Sequence, residues 1–225
     1  MQSTNYKQAR MGTGVTSIRA RETLITRLQA QGITNLQVLE AILQTPRHLF
    51  VDESLAPRAY DDTALPIGYA QTISQPYIVA KMASLILGGR RSLDRVLEVG
   101  AGCGYQSAIL SRLAKQVYAV ERIGALAQST KLRLHHLGYF NARVLHSDGF
   151  EGLEYYAPYQ AILVAASADD IPQALYNQLD MGGILIAPIR SELNQHLLMV
   201  EKTNSGFKKT KLDACSFVPL LSGLI

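Results

Sequence analysis

Five apolar runs, near residues 95–99, 116–120, 142–146, 159–165 and 182–187, alternate with segments near 105–114, 123–137 and 171–179 whose apolar residues recur with helical period. Short, nearly continuous apolar runs read as strands buried on both faces, and the intervening periodic segments read as helices that cover them. Ahead of this alternation, Leu24, Ile25 and Leu28, then Leu36, Val38, Leu39, Ile42 and Leu43, predict two short helices, the second opened by Thr34-Asn35-Leu36-Gln37, which has capping-box form. A further helix is predicted from about Gln75 to Leu87. After the last run, His196 to Lys202 and Lys209 to Leu220, joined by Asn204-Ser205-Gly206, predict a closing β-hairpin at a sheet edge. Together these elements predict an α/β fold with a doubly wound, mostly parallel sheet and right-handed connections.

Composition narrows the class. A chain of 225 residues suits one domain with added elements, and the boundaries expected here are a flexible basic leader over 1–20 and a single domain over 21–225. No apolar run approaches the ~20 residues of a membrane span, which predicts a soluble protein. Met1 to Ala30 carries Lys7, Arg10, Arg19, Arg21 and Arg27 against Glu22, five charges minus one, so this segment holds a net +4, equal to that of the whole chain. Without aromatic interleaving or a polybasic block, that leader reads as a solvated tail and one helix face, not a nucleic-acid arm. It lacks a signal-peptide core, and Cys103 and Cys215 stand far apart with no zinc-like spacing, so a reducing cytoplasm and no metal are expected. None of the five histidines has a metal-ligand spacing.

The chemistry concentrates where the first strand ends. Val96-Leu97-Glu98-Val99-Gly100-Ala101-Gly102-Cys103-Gly104-Tyr105-Gln106 reads as a buried strand, a glycine turn and a helix start. Glycines at alternate positions let a ligand approach the backbone, and the following helix turns unpaired N–H groups toward it. Tyr105 stands where a dinucleotide fingerprint needs its third glycine, which argues against NAD or FAD. Glu121 ends the next apolar run, where its carboxylate can accept from ribose hydroxyls, and turn plus acid fit S-adenosylmethionine. The plainer role for Glu121 is to complement the dipole of the helix that follows. Asp148-Gly149, after the third strand, is either an ordinary turn or an acceptor for an adenine amino group.

The run Leu65-Pro66-Ile67-Gly68-Tyr69-Ala70-Gln71-Thr72-Ile73-Ser74-Gln75-Pro76-Tyr77 has little helical or strand periodicity, yet is too uncharged for a solvated loop. Ser74 before Gln75-Pro76 suits a helix N-cap, and the same helix start could bind a carboxylate. This run resembles the protein-L-isoaspartate O-methyltransferase family, also called protein-beta-aspartate methyltransferases. Pro46-Arg47, Phe50-Val51, Ala59-Tyr60-Asp61, Ala157-Pro158-Tyr159, Gln178-Leu179, Gly182-Gly183 and Phe217-Val218-Pro219-Leu220 carry the resemblance from about residue 20 to the C-terminus, and Thr72-Ile73-Ser74-Gln75-Pro76 is its most specific part.

The resemblance implies the S-adenosylmethionine-dependent, Rossmann-like methyltransferase fold. It divides the domain into a helical and substrate-cleft portion (21–90), a cofactor-binding core (91–190) and a C-terminal β extension (191–225). It implies methyl transfer to the α-carboxylate of L-isoaspartyl residues in damaged proteins and peptides, with repair through succinimide. Ser74 is the implied active-site residue. Implied cofactor contacts are Thr72, Ile73, Glu98, Gly100, Gly102, Cys103, Gly104, Glu121, Asp148 and Gly149, and implied substrate contacts are Leu65, Pro66, Ile67, Pro188, Ile189 and Val218. No nucleic acid, no membrane and a monomer are expected. Four departures from the family pattern stand out: Cys103 for a usual serine, Tyr69-Ala70 where glycine is frequent, Arg190 where glycine follows the Pro-Ile pair, and Gln160 for a frequent aspartate. Two rivals remain at this level: a related methyltransferase acting on a small molecule or peptide natural product, and a non-catalytic cofactor-binding or nucleic-acid-binding module that uses the basic leader.

Overall fold

The computed structural model describes residues 12–192 and 194–225; Lys7, Arg10 and the rest of the leader up to residue 11 lie outside them. Helix α1 (Ile18–Ala30) starts inside the segment expected to be a flexible leader, because Leu24 and Leu28 on its inner face are buried and bring the preceding turn with them. Helix α2 (Leu36–Leu43) is capped one residue later than the capping-box reading placed it. Asn35, not Thr34, supplies the side chain, its Oδ1 accepting from the N–H groups of Gln37 and Val38 at 3.1 and 3.2 Å.

The aperiodic run resolves into a small antiparallel hairpin, β1 (Leu65–Gly68) and β2 (Gln71–Ile73), followed by helix α3 (Pro76–Leu87). Then come β3 (Leu93–Val99), α4 (Tyr105–Leu110), β4 (Ala114–Glu121), α5 (Gly124–His136), β5 (Ala142–His146), β6 (Tyr159–Val164), α6 (Gln173–Gln178), β7 (Leu179–Ser191), β8 (Asn194–Thr203) and β9 (Gly206–Cys215). The seven larger strands form one sheet in the order β5-β4-β3-β6-β7-β8-β9, parallel up to β7 and antiparallel beyond it.

Side-chain alternation along the central strands shows why this sheet needs cover on both faces. Val96, Val117, Ala119, Ala161 and Leu163 join one apolar cluster with the helices α1 to α4, whereas Leu97, Val99, Tyr118, Val120, Ile162 and Val164 join a second with Leu175 and Tyr176 of α6. The outer strand β9 is mostly exposed and carries Lys208, Lys209 and Lys211, charges that keep an open edge from pairing with another chain.

Strand order reverses between β3 and β6, the two strands that begin the outward progressions. Their carboxyl ends lie side by side, with the Ala165 N–H donating to the Val99 carbonyl at 2.8 Å. In open α/β sheets this switch point opens a crevice for ligands.

Candidate active site

The glycine turn leaves β3 at that crevice. Gly100 and Ala101 both donate to the Val120 carbonyl, at 2.9 and 3.1 Å, so the turn is pinned to β4 as it leaves the strand. Gly104 has φ +87°, and a Cβ there would lie 2.7 Å from Thr130 Cγ2, so neither the backbone angle nor the space admits a side chain. Helix α5 holds the turn from outside: Thr130 Oγ1 donates to the Gly102 carbonyl at 2.5 Å, and Arg133 Nη1 to the Cys103 carbonyl at 2.9 Å.

Glu121 closes the turn from β4. Its Oε2 accepts from the Gly102 N–H at 2.9 Å and its Oε1 from the Ile123 N–H at 3.0 Å, leaving a second lone pair on each oxygen for a ligand. The bond to Ile123, at the start of α5, is the helix-complementing role weighed from the sequence, so the two roles coexist.

Ser74 lies across the crevice, half-buried, and its hydroxyl has no hydrogen bond to the protein among the described residues. The expected N-cap role is corrected. Gln75 occupies the cap position with Pro76 as the first helical residue, and the N–H of Tyr77 is taken by Asp62 Oδ1 at 2.9 Å. Asp62 reaches the helix start from the loop before β1, which spares Ser74 that duty and also removes the Tyr77 N–H as a donor for a bound carboxylate.

One cleft, about 930 Å³ including its open mouth, joins these parts. Thr72, Ile73, Ser74, Glu98, Gly100, Gly102, Cys103, Glu121, Gly149 and Val218 all line it, so ten of the expected site residues face a common space. Among the described residues, three that line it have a buried polar atom without a protein partner: Glu98 Oε1, Gln106 Nε2 and the Tyr105 hydroxyl. Unpaired buried polar atoms are costly unless something fills the space beside them. An acidic pair of lone pairs at Glu121, bare backbone at the turn, and an unpaired acceptor and donor at Glu98 and Gln106 match a ligand with a diol, a compact body and an amino-acid end. Burial pushes the Cys103 thiol up, so it is a neutral packing group.

Other expected contacts fall elsewhere. Asp148 is not on the cleft wall: its Oδ1 accepts from the Phe150 N–H at 2.9 Å and its Oδ2 from the Gly223 N–H at 2.6 Å, so the C-terminal tail takes the side expected to face a ligand. Gly104 shapes the turn from behind without lining the cleft. Leu65 is 1% exposed and belongs to the core, because the first residue of β1 points inward. Pro66 and Ile67 line a neighbouring groove with Gly68 and Tyr69 on the far side of the hairpin. Pro188 and Ile189 are buried in β7, and Pro188 meets the loop after β6 through its carbonyl, which accepts from the Ala168 N–H at 3.2 Å. Arg190 is exposed and donates from Nε to Asp169 Oδ1 at 2.8 Å.

Of the C-terminal tail, Val218 was expected at the site, and the stretch after Pro219 was not foreseen. Ser167 donates to the Val218 carbonyl and accepts from Leu220 through its own carbonyl, which lays Phe217 to Leu221 along the cleft. Beyond it, Ile225 exchanges backbone hydrogen bonds with Arg122 and Gly124, and Arg122 Nε donates to the Gly223 carbonyl at 3.1 Å.

A family model described as Protein-L-isoaspartate(D-aspartate) O-methyltransferase matches residues 19–224. The chain belongs to that family. It is 51% identical over 212 residues to the protein-L-isoaspartate O-methyltransferase of Dechloromonas aromatica, covering 94% of this chain and 98% of the relative, and 52% identical over 205 residues to that of an Azoarcus species, covering 91% and 94%. Among solved structures, a protein-L-isoaspartate O-methyltransferase superposes with a TM-score of 0.81 at 27% identity, over 91% of this chain and 67% of its own. A Plasmodium falciparum protein named for the same activity and crystallised with S-adenosyl-L-homocysteine shares the fold, with a TM-score of 0.79 at 24% identity, over 89% of this chain and 98% of its own.

Proposed function

We propose that the cleft is where this family member uses S-adenosylmethionine to methylate the α-carboxylate of L-isoaspartyl residues in damaged proteins and peptides, the step that starts repair through succinimide. The observation that carries this reading is the unbonded Ser74 hydroxyl sharing one cleft with the glycine turn and Glu121. When bound, the cofactor supplies a methyl group on a sulfonium, already activated for displacement.

The protein's residues supply position. Glu121 would receive the ribose hydroxyls, the backbone at Gly100 and Gly102 would carry the compact body of the cofactor, and Glu98 with Gln106 would take its amino-acid end. Asp148 acts through the tail it anchors, and Gly149 keeps the cleft floor low beside Val99, whose Cγ1 would lie 2.5 Å from a Cβ at that position. A substrate carboxylate is ionised at neutral pH and needs no base. Ser74 would orient it by donating one hydrogen bond, and holding both groups in line is an effect that can reach ~7–11 kcal/mol in well-oriented reactions. Ser74 does not act as a nucleophile, since no glycine elbow or histidine partner accompanies it.

Isoaspartate differs from aspartate in which carboxyl continues the chain, so selectivity must come from the shape of the peptide path. Thr72, Val218 and the loop that joins Ala166 to Asp169 border that path in this reading. Arg190 has its charge met by Asp169, so it narrows the path more than it attracts acidic sequences. The protein is further proposed to act as a cytoplasmic monomer on polypeptides, without nucleic acid. No helix among the described residues is long and apolar enough to cross a membrane.

The deciding experiment presents labelled S-adenosylmethionine with two peptides identical except for an aspartyl or isoaspartyl linkage. Base-labile methyl ester is expected on the isoaspartyl peptide alone, and equal labelling or none would reject the assignment.

A further inference from the structure

Glu98 has no solvent exposure, and its environment is ill suited to a lone negative charge. Ser107 Oγ donates to Oε2, while Oε1 is buried without a partner. Its neighbours across the sheet, Ala119 on β4 and Leu163 on β6, are apolar. The carboxylate that bears on it is that of Glu121, of like sign, which accepts two backbone N–H bonds of its own. The Cys103 thiol of the turn is within electrostatic reach of Glu98, and the guanidiniums of Arg47 and Arg133 act on that thiol. Burial first, and then the charge of Glu121, push the Glu98 carboxyl up to about 8 against the pull of Ser107. On the same cleft wall, Gln106 Nε2 is a buried donor without a partner. An unpaired acceptor and an unpaired donor in one cleft are the complement of an ammonium and a carboxylate carried on one carbon.

We propose that Glu98 is protonated in the ligand-free protein and releases its proton to solvent when the ammonium group of the cofactor, or of its demethylated product, enters the cleft. The carboxyl O–H bond breaks, its electron pair stays on the carboxylate oxygen and the proton passes to buffer; nothing is oxidised or reduced. The ligand's cation then replaces the proton as the counter-charge that Glu98 otherwise lacks. This deepens the proposed function and rests on its cofactor assignment. The sign follows from linkage: below about 8 the free protein holds a proton that the complex lacks, so affinity climbs with pH, and above that value neither holds it and affinity levels off.

The test is calorimetric titration of S-adenosylhomocysteine into the wild type and Glu98→Gln at pH 7, each in phosphate and in Tris, whose ionisation enthalpies differ. The ligand's own ammonium contributes equally to both proteins, so the difference isolates Glu98. The wild type is expected to release close to one proton more per ligand bound than the variant. Its affinity is expected to rise about tenfold from pH 6 to pH 7 while that of the variant stays flat. Equal proton counts in two proteins that both bind would overturn the proposal and leave the cofactor assignment standing, whereas no binding by the wild type would overturn both. Should Glu98→Gln fail to fold, infrared difference spectra of the wild type decide: loss of a protonated carboxyl band on ligand addition supports the proposal, and an unchanged carboxyl region overturns it.

Discussion

The two turns that flank the cleft solve the same backbone problem differently. In the cofactor turn, the residues with left-handed φ are Gly100, Gly102 and Gly104, at +92°, +52° and +87°. In the hairpin turn before Ser74, Gly68 is followed by Tyr69 and Ala70 at +52° and +53°, an angle range that L side chains adopt at a cost. The first turn is relaxed, tied to β4 and clamped by α5. The second is exposed and held mainly by its own hairpin, with Gln71 Nε2 donating to the Tyr69 carbonyl at 3.2 Å. The turn proposed to meet an invariant small molecule is built from glycines, and the hairpin that leads to Ser74 turns on two L residues at positive φ.

Putting a side chain into the relaxed turn should have the largest effect. Gly102→Val would force a β-branched residue to φ +52° and set its Cβ 3.4 Å from Ile67 Cδ1. With strain of about 1–3 kcal/mol and lost backbone approach, affinity for S-adenosylhomocysteine should fall on the order of 10²-fold or more. Calorimetry checks this, and near-normal binding would show that the turn is not the contact surface.

On the opposite wall, Ser74→Ala should lower turnover roughly 10²-fold, the scale of losing one positioned donor, with cofactor affinity kept within about twofold. Because the hydroxyl makes no hydrogen bond among the described residues, the melting temperature should not move. A drop in melting temperature together with activity would make Ser74 a structural residue instead.

These two predictions also mark what was legible in the residues alone. The glycine turn, Glu121 and the alternation of strands and helices are local in sequence, so spacing and periodicity reveal them. The hairpin β1–β2 escaped because its strands span four and three residues, too short for alternation to register. Asp62 escaped as the helix cap because 15 residues separate it from the N–H it accepts from. Leu65 and Ile67 lie on one strand with a single residue between them, but Leu65 enters the core and Ile67 stands beside the glycine turn, a division made by tertiary packing. The tail end escaped most completely, for Ser222 to Ile225 have no periodicity and their partners lie up to 103 residues back in the chain, as with Ile225 and Arg122.

Removing that tail, which lines the cleft as far as Leu221, should give an intermediate effect. Deleting Leu221 to Ile225 strips Asp148 of the Gly223 N–H and Arg122 of two carbonyl acceptors. With each such bond worth about 0.5–1.5 kcal/mol net, affinity for S-adenosylhomocysteine should weaken about tenfold, while a tail that merely rests on the surface would leave it unchanged.

The smallest effect, and the sharpest test of the contrast, comes from relieving the strained turn. Tyr69 and Ala70 both lie at positive φ between paired strands, the geometry of a two-residue hairpin turn for which glycine is preferred at the second position. Ala70→Gly removes a left-handed alanine, worth about 1–2 kcal/mol, but gives the unfolded chain more freedom, which offsets about 0.4–1 kcal/mol. The net expectation is a gain of roughly 0.5 kcal/mol, read as a higher denaturant midpoint at constant m-value. A gain in stability with unchanged methyl transfer would mean that the strain is incidental to this hairpin. Should stability rise while KM for an isoaspartyl peptide also rises, the strain is what sets the course of the hairpin that carries Thr72 and Ser74 to the cleft. If stability falls instead, the backbone there is not under strain, and the difference between the two turns is one of sequence alone.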